Sequence, residues 1–547
     1  MALSTVVVIP ARDEEATIAA CLQSLAVQSI GRQHFEIILV LDDCRDDTAT
    51  VAAGSAVELG LALDTLTGPG QGAGPARRLG METAATRLLT AGLPDGLIAC
   101  TDADSRPAPD WLERQLAHLH GGARAIAGLI EIEPAELDLL PGSVRRRRER
   151  DAADRLSRVR RADPTAGHHH FAGASLGVTA STYRAVGGLE PLSALEDQAF
   201  AGRLDAHGVP ILRASDVRVH TSARSRGRVS RGLSIDLEVS SWRDRRRYRA
   251  ADFSAPALAS GKGETTVSVI IPTKRCATTI GAIIRETVKP LAEHGLVDEL
   301  LVIDADSSDG TAARAQAAGA RVLQQDEVLP ERGPALGKGD AMWRALSVAR
   351  GELICFLDGD TEDPHPHHLQ GLVGPLLAHP ELTLVKGAFE RPLARGAQAM
   401  PHEGGRVTEL MARPLLNLHE PRLAGFAQPL AGEFGARRDL LEAIPFPVGY
   451  GVEIAVLVDA LRHAGLDALA ECDLGRRQNR HQSLRALGEM AYAVLAAMER
   501  RLPAGRSVIA GAYLRPWEDG RVVSVPVLER PPLTSLARRR GLSAGVN

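Results

Sequence analysis

Apolar runs that end in a polar turn appear three times near the start of the chain and return in the same order further on. VVVIPARDEEATI at 6–18 is matched by SVIIPTKRCATTI at 268–280, ILVLDD at 38–43 by LLVIDAD at 300–306, and LIACTDAD at 97–104 by LICFLDGD at 353–360. Each run is short, continuous and rich in Val, Ile and Leu, the pattern of a strand buried on both faces. The segments 49–62 and 281–293 fit connecting helices. Alternating strands and helices predict that each copy is a doubly wound α/β domain on a parallel sheet. Such folds take ligands at the carboxyl ends of their strands. Three elements recurring in order at nearly one spacing mark a domain duplication, not a short solenoid period.

With 547 residues the chain exceeds what one core usually serves. The repeat divides it into a first domain at 1–224, an Arg-rich segment and linker at 225–265, a second domain at 266–502 and an extension at 503–547. A composition of 44% hydrophobic and 24% charged residues is ordinary for a globular protein. The net charge of −4 argues against a general nucleic-acid binder, and 3% aromatics argue against base-stacking platforms. Cys21, Cys44, Cys100, Cys276, Cys355 and Cys472 form no C-x-x-C pair, which suits a reducing compartment and gives no zinc framework. No apolar run is long enough to span a bilayer, and the first strand follows the N-terminus with no basic n-region. A cytoplasmic chain without an integral membrane segment is therefore expected.

Asp102-Ala103-Asp104 and Asp358-Gly359-Asp360 each close a strand. Two carboxylates so placed repel one another, unless a divalent cation and a diphosphate sit between them. These four aspartates are the expected ligands of Mg²⁺ or Mn²⁺, which would offset the charge of a departing nucleotide diphosphate. A dehydrogenase, the competing α/β reading, needs a Gly-rich turn after its first strand, and both copies carry Ile-Pro there instead. Gly337-Lys338-Gly339 opens a helix, with glycines that let main chain approach phosphate and a lysine to meet its charge. Gly404-Gly405-Arg406-Val407-Thr408 is a second anion-ready turn before a helix.

At this point both halves resemble glycosyltransferases of the GT-A fold. The first half is similar to the family-2 group through IPARDEE, LDD, TDADS and Glu196-Asp197-Gln198. From about 266 to 533 the chain resembles the actinobacterial glucosyl-3-phosphoglycerate synthases, through LVDELLVIDADSSDGT (296–311), LGKGDAMWRAL (336–346), FLDGDTEDPHPHHLQGLVGPLL (356–377), LVKGAFERPL (384–393), GGRVTELMARPLL (404–416), QPLAGEF (428–434), PFPVGYGVEIAVLVDAL (445–461) and ERPPL (529–533). The resemblance implies that UDP-glucose and 3-phosphoglycerate give glucosyl-3-phosphoglycerate and UDP, with retention and no assigned protein nucleophile. It implies substrate contacts at Pro10, Asp42 and Asp43 in the first half. In the second half it implies them at Pro272, Thr273, Asp304, Lys338, Gly405, Arg406, Val407, Thr408 and Tyr450. Glu453 would orient the acceptor hydroxyl, and a homodimer is a further expectation. Two departures stand out. Arg275 and Cys276 replace the acidic residue usual after the first-strand proline. Asn479 stands where relatives place a metal-ligating histidine, making His481 the candidate third ligand.

In the first half an inverting transferase with Asp197 as general base is expected, its donor and acceptor open. The alternative is a nucleotide-sugar-binding regulator in which one half is inactive. A polysaccharide synthase lacks the membrane spans it would need. His168-His169-His170 reads as a loop near the acceptor cleft, and Arg145–Arg148 and Arg243–Arg249 read as solvated helical faces.

Overall fold

Two eight-stranded sheets, one per copy, form the frame of the protein. The computed structural model describes residues 4–192, 195–223, 233–395, 398–400, 404–478, 482–502, 511–515 and 521–536. The chain divides into two compact units, Met1–Ser241 and Trp242–Asn547.

In the first unit the strands are β1 (Thr5–Ala11), β2 (Phe35–Leu41), β3 (Leu63–Thr67), β4 (Leu97–Cys100), β5 (Ser105–Pro107), β6 (Ala125–Ile132), β7 (Leu176–Thr179) and β8 (Ile211–Thr221), in the order β3-β2-β1-β4-β7-β6-β8-β5. In the second they are β9 (Arg247–Arg249), β10 (Val267–Thr273), β11 (Glu299–Asp304), β12 (Arg321–Gln324), β13 (Leu353–Phe356), β14 (Leu384–Glu390), β15 (Phe434–Arg437) and β16 (Leu469–Arg476), in the order β12-β11-β10-β13-β15-β14-β16-β9. Position for position the orders agree. β1 is buried along its whole length, and β10 is buried except at Pro272, as strands covered on both faces must be. The helices Thr48–Leu59 and Ile280–Glu293 follow the apolar pattern. The second passes through a π-helical turn at Ile283–Val288, just before Pro290, which has no N–H to give.

The sheets are mixed, not parallel throughout. β7 runs antiparallel to β4 and β6, and β15 runs antiparallel to β13 and β14. Each of these strands returns after a long excursion, so no right-handed crossover fixes its direction, and hydrophobicity carries no sign of direction.

Duplication extends to single hydrogen bonds. The N–H of Glu14 donates to Thr48 Oγ1, whose own N–H donates to Asp46, and Cys276, Thr311 and Asp309 repeat this set. Asp13 and Arg275 at these turns both have positive φ, at 50° and 57°. The edge strands differ. β5 follows directly on Asp104 and is antiparallel to β8, whereas β9 comes from ahead of its own domain and is parallel to β16.

β9 belongs to a segment that reads as linker in the sequence. Trp242 is fully buried, donates through Nε1 to Leu469 O at 2.7 Å and packs on the Phe426 ring with centroids 4.5 Å apart. Arg247 pairs with the buried Glu471 at 2.6 Å. Trp242→Ala in the full chain removes a buried indole and its hydrogen bond. We expect it to destabilise the second unit by about 3–5 kcal/mol. Chemical denaturation followed by hydrogen exchange of the strand β16 amides checks this; unchanged protection of β16 would show that the segment is peripheral.

Candidate active site

Three separate stretches of the second unit meet at one cation. Lys338 opens the helix Lys338–Val348, Asp358 follows β13, and Glu453 lies in the first turn of the helix Val452–Ala464. Lys338 Nζ donates to Asp358 Oδ1 and to Glu453 Oε1, each at 2.7 Å. Burial pushes the Asp358 carboxyl up, but Lys338, with Arg391 and Arg477, outweighs it and holds the group below its ordinary value. Burial likewise opposes charge on Lys338, and the two carboxylates overcome it, so the ammonium is held well above its ordinary value. The glycines around Lys338 make this meeting possible. A Cβ on Gly339 would fall 1.9 Å from Pro447 O, and one on Gly337, at φ 148°, would fall 2.8 Å from Val448 O. They admit the protein's own main chain, which leads directly to Glu453. Gly432 has a similar task, since a Cβ there would fall 2.2 Å from Asp358 Oδ1.

Around this cation opens a cavity of about 730 Å³. Pro272, Thr273, Lys338, Asp358, Asp360, Gly405, Arg406, Val407, Thr408, Tyr450 and Glu453 all line it, so donor-side and acceptor-side candidates share one space. Asp304 lies behind the wall. Its carboxylate accepts from Thr273 Oγ1 at 3.0 Å and from Ser307 Oγ at 2.7 Å, and so shapes the turn after β11. Gly405 has φ 68° and Arg406 Nη2 donates to Gln482 O at 2.7 Å, which fixes the anion-ready turn. Cys276 takes the place of Glu14 and packs beneath Asp-Gly-Asp, its sulfur 3.3 Å from where a Cβ on Gly359 would stand. His481 and Asn479 lie outside the described residues.

Sequence reasoning did not single out three charged groups at the cavity: Arg477 in its lining, and Lys386 and Glu433 behind it. Lys386 is fully buried on β14, donates to Ala431 O and lies 5.0 Å from the centre of the Phe434 ring. Burial pushes its ammonium down to about 8. Arg477 pairs with the wholly buried Glu433, whose carboxyl burial pushes up. A lysine inside the apolar run Leu384–Phe389 was the available signal.

The first unit repeats the arrangement with a different cation. Arg77, in the helix Ala73–Thr90, pairs with Asp102 at 2.6 Å and with Glu196 at the start of the helix Glu196–Ala206. Asp102 matches Asp358, and Glu196 matches Glu453 in contacting the cation. Asp104 lies two residues on, before β5. Asp197 is half-buried and accepts from the N–H of Gln198 at 2.7 Å. Burial, then the neighbouring Glu196, pushes its carboxyl up. Pro10 is buried within β1. Asp42 is buried and accepts from the N–H groups of Gly70 and Gly72 at 2.6 and 2.8 Å, while Asp43 is exposed and pairs with Arg12 at 3.1 Å.

Residues 6–179 and 268–421, together over half of the chain, match the family described as glycosyl transferase family 2. The chain belongs to that family. It is a glycosyltransferase with two family-2 regions in tandem. Its second half is similar to glucosyl-3-phosphoglycerate synthases. The Mycolicibacterium smegmatis protein is 41% identical over 303 residues, covering 54% of this chain and 99% of the relative. The Petrotoga mobilis protein is 40% identical over 242 residues, covering 44% of this chain and 74% of the relative. Among solved structures, mannosyl-3-phosphoglycerate synthase from Rubrobacter xylanophilus is 44% identical, covers 54% of this chain and 98% of its own, and has a TM-score of 0.49. Glucosyl-3-phosphoglycerate synthase from Mycobacterium tuberculosis, in complex with Mn²⁺, UDP and phosphoglyceric acid, is 39% identical, covers 52% and 95%, and has a TM-score of 0.47.

Among the described residues no group of three or more His, Cys, Asp or Glu side chains gathers as a metal cage. Asp358 and Asp360, both in the lining of the cavity, suit a cation that completes its shell with water and diphosphate oxygens. No helix among the described residues is long and apolar enough to cross a membrane.

The close approach at Gly432 generates a prediction. Gly432→Ala drives a methyl group into the Asp358 carboxylate and displaces it from Lys338. We expect glycosyl transfer by the second unit to fall by about 100-fold, with circular dichroism unchanged. Transfer at the original rate would mean that the Asp358 position is not critical.

Proposed function

We propose that the second unit transfers glucose from UDP-glucose to 3-phosphoglycerate. The observation that carries this reading is the single cavity in which Lys338, Asp358 and Asp360 face the Gly405–Thr408 turn, Tyr450 and Glu453. Its relatives, over the matched half, carry the name glucosyl-3-phosphoglycerate synthase. Lys338 meets the donor diphosphate at the helix start, and Arg406 with Thr408 and the turn N–H groups holds the acceptor phosphate. Glu453, oriented by Lys338, accepts a hydrogen bond from the acceptor hydroxyl. Asp358 and Asp360 would hold Mg²⁺ or Mn²⁺, which supplies charge neutralisation of the leaving diphosphate.

The first unit we read as a second, inverting transferase. Its support is the repeated Arg77–Asp102–Glu196 set, with Asp102 and Asp104 as candidate metal ligands. Arg77 occupies Glu196, which leaves Asp197 as the carboxylate for the acceptor proton. In the second unit the carboxylate at the position of Asp197, second in its helix, is Glu453, and Lys338 already holds it, in keeping with a retaining reaction there.

Three predictions test these readings. In the full chain, Asp360→Ala should abolish UDP release that depends on 3-phosphoglycerate and Mg²⁺, with thermal stability retained. Release with GDP-mannose but not UDP-glucose would reassign the donor, and full activity in the variant would remove Asp360 from the site. For the first unit, Asp197→Asn should lower turnover by about 10²–10⁴-fold with donor binding intact. Because the Asp197 carboxyl is pushed up, first-unit turnover should fall, as pH drops, at a pH above the ordinary aspartate range. An acid limb within the ordinary range, or an axial product from an axial donor, would remove Asp197 as the base.

A further inference from the structure

The loop that carries His168, His169 and His170 leads into β7, and the second unit has a counterpart before β15. Gln428 stands as far ahead of Phe434 as His170 stands ahead of Leu176. Both side chains are anchored to the same place on matching strands. The N–H of Ile130 on β6 donates to His170 Nδ1 at 3.2 Å, and Gln428 Nε2 donates to Phe389 O on β14 at 3.1 Å. Gln428 also borders the acceptor turn, since a Cβ on Gly405 would stand 3.9 Å from its Oε1. His170 therefore marks the acceptor side of the first unit. From there the loop reaches Gly173, where a Cβ would fall 2.1 Å from Arg77 Cζ, so the histidines connect directly to the Arg77–Asp102–Glu196 set.

What stands at this place is a set of N–H donors without a carboxylate among the rings. His168 is buried, its Nδ1 accepts from the N–H of His170 at 3.1 Å and its Nε2 faces Ala214 O at 3.3 Å. His170 Nδ1 accepts from Ile130. A ring nitrogen that accepts carries no proton, so His168 and His170 are neutral and Nε2 is the donor on each. His169 and His170 lie with ring centroids 4.2 Å apart. Burial first, then Arg155 and His168, lowers His169 to about 4, and burial first, then His169 and His168, lowers His170 to about 3. Arg148 and Arg155 project from the helix Gly142–Arg160, which follows β6 as the Gly404–Thr408 turn and its helix follow β14. Asp236 stands 4.0 Å from Arg155 and, with Asp151, also faces Arg148, so two carboxylates share the arginines that the site would use.

We propose that His169, His170, Arg148 and Arg155 form the acceptor subsite of the first unit, and that its ligand is a phosphomonoester. Guanidinium groups pair with phosphate oxygens bidentately, and neutral imidazole N–H groups donate without adding repulsion between cations. The proposal rests on reading the first unit as a transferase. Both units then act on phosphorylated acceptors, and the product of the second unit, which keeps its phosphate, falls within the class the first unit takes.

The test is calorimetric titration of the full-length protein with 3-phosphoglycerate and with glycerol 3-phosphate. A second equivalent per chain should bind beyond the one lost in Arg406→Ala with Thr408→Ala. That second equivalent should weaken about tenfold or more in Arg148→Gln with Arg155→Gln. His170→Gln, which installs the side chain the second unit already uses there, keeps the fold and should weaken it less. A single equivalent in the unaltered protein, or a second one indifferent to Arg148 and Arg155, would overturn the proposal. So would binding only to vesicles containing phosphatidic acid. Arginine-dependent binding with no transfer from any nucleotide sugar would leave the subsite standing and remove the transferase reading. Transfer to an uncharged acceptor with no phosphomonoester bound would do the reverse.

Discussion

A cation wedged between a buried glutamate and a partly buried aspartate is the constraint around which each unit is arranged. In the second unit Lys338 joins the start of one helix, the end of the central strand β13 and the first turn of another helix. None of the three groups would be tolerated there alone. Removing one partner from such a set leaves an unpaired buried charge, at a cost of about 3–5 kcal/mol. The requirement reaches outwards to Gly337, Gly339 and Gly432, which give up side chains so that main chain and carboxylate can approach. Behind it lie the buried Lys386 ammonium and Glu433, which pairs with Arg477 in the cavity lining.

Duplication turns the protein into its own comparison. The turn after the first strand is preserved down to the hydrogen bond from the N–H of Glu14 or Cys276 to a threonine hydroxyl. Each copy sets a cation between the two acids, but from a different place: Lys338 is the first residue of its helix and Arg77 the fifth of its own. A lysine gives a compact charge, while Arg77 offers a planar fork that spans Asp102 and Glu196 and excludes Gly173 from having a side chain. The bridging glutamates differ in register too: Glu196 opens its helix, whereas Glu453 is the second residue of its own, the position Asp197 holds in the first copy. One scaffold with one strand order thus presents two different sets of charged groups, which is how a fold hosts different chemistries.

The expected linker illustrates a different point. Its small and charged residues lack an apolar period, so composition marks the stretch as connecting chain. In the fold, Trp242 fills a space against Phe426 and β9 completes the sheet beside β16. A single indole and three paired residues suffice for this, and neither produces a pattern in the sequence long enough to be read.

The sequence by itself determined the two copies, their strand-end aspartates and the family. Buried parallel strands must be continuously apolar, and the polar residues that end them cannot be hidden. Lys338 and the Gly405–Thr408 turn were legible for the same reason, as charge and glycine concentrated in short motifs. Tertiary structure alone decided which of these groups meet. It put Asp304 behind the wall as a turn former and Lys386 under the floor. It bound Glu196 to Arg77, and set His170 where the other copy keeps Gln428. These pairings join residues distant along the chain, and their distances are set by how helices and strands pack. No local pattern records them.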